Sequence, residues 1–488
     1  MSTAQTPPAR QIGTASHRRG RRAARLVAAT LLAGTTGCST LRENLLGAGT
    51  SPQPGTPGYV EGFLGAVVAD EPRAALAARD VLSAGGNAAD AAVAAGFMMA
   101  VTLPSRAGLG GGGACIAYLA NSSGLSKGVP EAILFIPPAS TQPGATRPAA
   151  VPMLARGLYA LHARYGHLPF EQLVVPAEQA ATFGVEASRA LVRDLSVVAA
   201  PLAADPQSAA VFLPGGQMLR EGARFTQPAL GATLAAIRNA GVGDFYQGSL
   251  AHRFSLASAA AGGPIGDNDL RQAIPRQTAM IDLPLGHDRL AVLPTDGGLG
   301  TAASLLALRD GQGDPTATGL AVAAAARQQG ANAALLTTPG LPAASLPAAS
   351  LPALPASASF GALDRNGNAV ICAVSMNNLF GIGRIAPGTG VLLAASPASF
   401  PPPLLSAGLV YNRHIDAFRA MAAGTGQAGA PLAAAIGLQS ALTGQPMQPP
   451  EPGRTNVISC DRYLPGRQSS CTWQVDPRGD GLAVGSSQ

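Results

Sequence analysis

Apolar residues along the first half of the chain recur at helical spacing and are punctuated by glycine. The pattern predicts a helix over 72–83, closed by Gly85 and Gly86 where a left-handed cap is wanted. Asn87 is placed to cap a second, Ala-rich helix, with Asp90 in its first turn favourable to the helix dipole. Leu154, Leu158, Leu161 and Tyr165 mark a helix that stops at Gly166, and another follows over 173–183. Thr226 is placed to cap a further helix, with Pro228 in its first turn and Leu230, Leu234 and Ile237 on one face. These stripes read as core surfaces and carry no chemistry.

Strand patterns come next. Pro104-Ser-Arg-Ala-Gly-Leu-Gly-Gly-Gly-Gly113 leads into an apolar run over 114–120. A glycine run before a strand lets backbone approach closely beside a site. It is not a phosphate loop, because the Lys-Ser/Thr pair and the following helix are missing. Two more runs, 359–363 and 368–374, flank Asp364-Arg-Asn-Gly367 and predict a hairpin. Directly before them the chain reads LPAAS-LPAAS-LPALPAS from Leu341, a tandem run whose prolines exclude regular structure and predict a mobile loop.

The 488 residues, 47% of them hydrophobic, suffice for one large core or two intertwined ones. A net charge of +6 invites a nucleic-acid reading, but position removes it. Arg10, Arg18, Arg19, Arg21, Arg22 and Arg25 account for the whole excess, leaving the rest formally neutral and without a basic face for a phosphate backbone. The basic run, the apolar segment from Leu26 to Ala33 and Gly34-Thr-Thr-Gly-Cys38 resemble a bacterial lipoprotein signal. That pattern predicts residues 1–37 as signal peptide, lipidation at Cys38, a tether over 38–58 and a periplasmic protein meeting the membrane through its lipid anchor alone. The apolar segment is too short to span hydrocarbon. Cys115 and Cys372 sit in apolar runs and are expected as buried thiols, whereas Cys460 and Cys471 can form a small disulfide loop in an oxidising compartment. No Cys or His spacing suits a metal, and no cofactor is expected.

Gly85-Gly-Asn-Ala-Ala-Asp-Ala-Ala-Val93 together with the glycine run to Gly113 resembles the amino-terminal signature of the gamma-glutamyltranspeptidase family. Ala150-Val-Pro, Leu161-His-Ala-Arg-Tyr-Gly166, Phe245-Tyr-Gln-Gly248, Pro294-Thr-Asp-Gly-Gly298, Asp364-Arg-Asn-Gly-Asn-Ala-Val370, Met376-Asn377, Phe380-Gly381 and Pro387-Gly-Thr-Gly-Val-Leu-Leu393 continue in that family's order. The resemblance implies an α/β chain folded as a four-layer αββα sandwich of the N-terminal-nucleophile hydrolases. It implies a large-subunit-like region over 59–356, a small-subunit-like region over 357–447 and a divergent tail over 448–488, with a two-fragment heterodimer after self-cleavage.

By the same resemblance the nucleophile falls on Ser357, whose own freed amine would act as base. Ser375 and Asn377 fall on substrate-contacting positions, and Ala428-Gly429 on the backbone oxyanion segment. Other positions depart. Ile136 stands where the family has the arginine for the substrate α-carboxylate, Ser399 where it has the aspartate for the α-amino group, and Pro403-Leu404 where it has a serine pair. The implied reaction is hydrolysis or transfer of a gamma-glutamyl amide such as glutathione. Two alternatives stand beside it: an amidase of less polar substrates, and a non-catalytic lipoprotein scaffold that keeps the fold.

Overall fold

The computed structural model describes residues 62–120, 128–311, 313–338 and 351–485. The signal segment, Cys38, the tether and most of the Pro-rich run lie outside them. In chain order the strands are β1 (Gly65–Ala69), β2 (Gly112–Tyr118), β3 (Glu131–Phe135), β4 (Val185–Glu186), β5 (Arg224–Phe225) and β6 (Arg276–Ala279). β7 (Ile281–Leu285), β8 (Asp288–Val292), β9 (Ser357–Asp364), β10 (Ala369–Ser375), β11 (Ile385–Ala386) and β12 (Val391–Leu392) follow. The last are β13 (Ser406–Asn412), β14 (Ala417–Thr425), β15 (Arg454–Leu464), β16 (Cys471–Val475) and β17 (Leu482–Gly485).

Two large sheets are built from these strands. The first has seven strands in the order β17-β1-β9-β10-β2-β3-β6, and the second six in the order β16-β15-β14-β13-β8-β7. They pack face to face through Val68, Ile116, Leu134, Ile371, Leu409, Met421 and Ile458. Helices Pro72–Ser83, Ala88–Thr102 and Leu154–Tyr165 cover the outer face of the first sheet, with Phe170–Phe183 packed on Ala88–Thr102. Asp296–Asp310 and Ala430–Thr443 cover that of the second, with Pro315–Gln329 packed on Asp296–Asp310. The result is the helix–sheet–sheet–helix order that the family resemblance implies.

Local chemistry explains the elements nearest the site. Helix Ala88–Thr102 is buried along its whole length, and its many alanines let the sheet and flanking helices approach closely. Asn87 and Asp90 form a reciprocal capping box at its start. Asp90 also accepts the His167 and Leu168 amides at 2.9 and 3.1 Å, tying two distant turns together. A Cβ on Gly112 would stand 2.2 Å from the Phe135 carbonyl oxygen, and one on Gly113 2.2 Å from that of Ala373. The glycine run is therefore a close-approach device where β2 meets both neighbours.

Two expectations need correction. Cys115 and Cys372 are not free thiols but a disulfide, because β2 and β10 pair in a register that sets the two residues directly opposite. Cys460 and Cys471 are bonded likewise across β15 and β16. The helix expected to be capped by Thr226 has Gln227 at its N-cap, without a side-chain cap; the Gln227 Nε2 donates instead to Val101 O at 2.8 Å. The divergent tail supplies β15, an inner strand of the second sheet, and β17, which pairs with β1 in the first.

Candidate active site

β9 begins at Ser357, and β10 ends at Ser375 directly opposite it. Leu363, Ile371 and Ala373 on these strands point into the inter-sheet core, so the alternation of a strand carries Ser357, Ser359 and Ser375 to the same side. Both Ser357 and Ser375 are buried. The Ser375 hydroxyl donates to the Ala356 carbonyl oxygen at 2.9 Å, and the Met376 amide donates to the same oxygen at 3.2 Å. The peptide joining Ala356 to Ser357 thus has a carbonyl already held by two donors, next to a hydroxyl on the following residue. The Asn377 amide donates to Ser375 Oγ at 2.7 Å and fixes that hydroxyl in place. Asn377 adopts a φ of +60°, and its Nδ2 donates to Ala395 O at 2.9 Å.

Ser375 and Asn377 also line a cavity of about 330 Å³ between the β3–β6 edge of the first sheet and the start of helix Asp296–Asp310. Gly112, Gly113, Ile136 and Pro403 line it as well, so the cavity gathers residues that lie far apart in the sequence. Its wall is largely apolar where the family pattern has an arginine and a serine pair. Asp296 and Arg327 line it too but satisfy each other, with Nε to Oδ2 at 2.6 Å, and Arg327 also donates to Pro402 O. Arg276, at the start of β6, reaches the same cavity with its side chain solvent-exposed.

The other sequence-derived positions are placed differently. Ser399 is exposed and outside the cavity wall. Ala428 and Gly429 form a short 3₁₀ turn ahead of helix Ala430–Thr443, also off the cavity wall. Gly429 donates its amide to Gly426 O at 2.8 Å, and Ala428 packs with Leu351 and Leu404. In the uncut chain the Ala356 carbonyl is therefore served by Ser375 and Met376, not by this turn.

Behind the serines lies a polar cluster that sequence reasoning missed. Asp70 accepts the Ser359 amide at 2.8 Å and the Asn456 side-chain amide at 2.7 Å, while Asn456 also donates to Ser359 Oγ at 2.8 Å. Burial pushes the Asp70 carboxyl up from its ordinary value, against the opposing pull of the Ser359 amide and of Arg106. Arg106 is part-buried, and desolvation works against its charge, but Asp194 at 2.8 Å outweighs it and holds the guanidinium protonated. Asp70 and Asn456 lie 386 positions apart and match no short motif. Only the acidic pair at the end of β1 hinted at anything there. Among the described residues no group of three or more His, Cys, Asp or Glu is placed to hold a metal, and no helix is long and apolar enough to cross a membrane.

Two facing sheets between helical layers, with a hydroxyl residue opening a central strand, define the N-terminal-nucleophile hydrolase class. The likeness extends to a solved cephalosporin acylase from Bacillus halodurans, with a TM-score of 0.65 at 18% identity over 90% of this chain and 99% of that one. The Gamma-glutamyltranspeptidase family profile matches residues 74–329, and the chain belongs to that family. Glutathione hydrolase 6 of Homo sapiens is 29% identical over 423 residues, covering 82% of this chain and 74% of its own. Glutathione hydrolase 2 of Arabidopsis thaliana is 31% identical over 217 residues, 43% of this chain. The match spans only 37% of that plant relative's own length.

Proposed function

We propose that this chain is an amide hydrolase or acyltransferase that matures by cutting itself between Ala356 and Ser357. The observation that carries the reading is the Ala356 carbonyl held by Ser375 Oγ and the Met376 amide beside the Ser357 hydroxyl. Ser357 Oγ adds to the Ala356 carbonyl carbon, and the two donors stabilise the oxyanion that forms. The C–N bond breaks, the hydroxyl proton passes to the departing Ser357 nitrogen, and an ester remains. Water hydrolyses that ester, releasing the Ala356 carboxylate and a free Ser357 amine. In the mature protein that amine takes the Ser357 proton as Oγ attacks a substrate amide, then hands it to the leaving amine. Water or an acceptor amine releases the acyl group.

The pieces 59–356 and 357–488 would stay together after the cut, because β1 pairs with β9 and β2 with β10 across it. Substrates are small amides that fit the cavity beside Ser375 and Asn377. Its apolar wall at Ile136 and Pro403 favours an acyl group less polar than gamma-glutamyl. Two cross-strand disulfides support export to an oxidising compartment, with lipidation at Cys38 as the means of anchoring.

Intact mass of residues 39–488, expressed without Cys38, tests the reading beside Ser357→Ala. Two fragments meeting at Ala356 and Ser357, absent from the variant, are expected. A single uncut chain in both samples would overturn self-cleavage and leave a non-catalytic scaffold as the better account.

A further inference from the structure

The cavity contains two arginines, and they differ in what they have to hold. Arg327 is engaged by Asp296 and the Pro402 carbonyl. Arg276 makes no side-chain hydrogen bond or ion pair with any described residue. Its direction follows from register. Arg276 stands opposite Leu134 on the antiparallel β3–β6 pair, and Leu134 faces the inter-sheet core, so the two side chains share that face. Ile136, two residues beyond Leu134, lies diagonally from Arg276 and lines the same cavity. The neighbouring strand therefore delivers a guanidinium to the wall where the apolar Ile136 offers none. No carboxylate is left to balance it, since the one acidic lining residue, Asp296, is already paired with Arg327.

We infer that Arg276 is the specificity-determining cation of this cavity, and that it selects acyl groups ending in a carboxylate but lacking a neighbouring ammonium. The inference rests on the amide-cleaving reading and specifies its substrate class as the amides of short dicarboxylic acids. A guanidinium pairs with a carboxylate through two parallel hydrogen bonds. The methylene chain then runs along Ile136, Pro137 and Leu405 toward Ser375. An α-ammonium would enter a region holding an unpaired cation and no unpaired carboxylate, and would be repelled.

Three probes separate these terms: glutaramate, L-glutamine and pentanamide. Glutamine adds only the α-ammonium to glutaramate, and pentanamide replaces the terminal carboxylate by a methyl group. Calorimetric titration into full-length Ser357→Ala protein reads binding without turnover, while the mass measurement reports self-cleavage separately. Glutaramate is expected to bind about tenfold tighter than either other probe. Adding Arg276→Ala should bring it down to the pentanamide level, and Arg276→Lys should restore part of the difference. Pentanamide binding should be the same in all three proteins. Glutaramate binding unchanged by Arg276→Ala, glutamine binding tighter than glutaramate, or no binding of glutaramate would each overturn the inference. A chain that cuts itself yet shows any of these would keep the hydrolase reading and lose the role of Arg276.

Discussion

Replacing Ser375 by alanine isolates the arrangement on which self-cleavage depends. The Ala356 carbonyl has two donors, Ser375 Oγ at 2.9 Å and the Met376 amide at 3.2 Å, and the substitution removes the shorter one. Loss of one preorganised donor to a developing oxyanion costs about 2.7–4 kcal/mol, or about 10²–10³-fold in rate. The same change strips the buried Asn377 amide of its acceptor, which adds about 1–3 kcal/mol of folding destabilisation. Ser375→Thr keeps the hydroxyl and should retain most of the rate. The assay is a time course of precursor and fragments by intact mass, with a thermal melt of the uncut variant beside it. Cleavage of Ser375→Ala at the wild-type rate, with the fold intact, would show that the oxygen is stabilised by other groups.

Further outcomes follow from other parts of the fold. Because Cys115 lies before the cut and Cys372 after it, the two fragments should migrate as one species on a non-reducing denaturing gel and separate with reductant; separation without reductant would refute the bond. Asp90→Ala should lower stability by about 1–3 kcal/mol in a denaturant titration, since it leaves the part-buried amides of Asn87, His167 and Leu168 without their acceptor. Burial raises the Glu71 carboxyl above its ordinary 4.5, so the folded chain holds a proton that the unfolded chain releases. The stability linked to that proton is fully present below the unfolded value and is lost as pH rises through the raised one. Glu71→Gln, which can still accept the Ala74 amide, should therefore gain on wild type as pH rises above 4.5; parallel urea midpoints for the two proteins would refute this.

Much of this molecule was legible before any coordinates. The helix over 72–83, the Asn87–Asp90 cap, the stop at Gly166 and the hairpin about Asp364-Arg-Asn-Gly367 rest on interactions within a few residues, which sequence encodes directly. Ser357, Ser375 and Asn377 were singled out by the family resemblance, counted from that hairpin, and the strand pairing sets Ser357 and Ser375 opposite each other. The rest depended on register between distant strands. Cys115 and Cys372 read as two unrelated apolar residues until β2 and β10 set them opposite each other. Asn456 lay in a tail without a motif, yet an inner strand delivers it to Asp70 and Ser359. Ile136 was read as the loss of a cation, whereas the β3–β6 pairing places Arg276 on the same wall. The sequence by itself determined the local elements, and its likeness to a family pointed to the serine that opens β9. Tertiary structure alone decided which charges remain unpaired in the cavity, because pairing depends on which strand edges meet, and no short-range pattern records that.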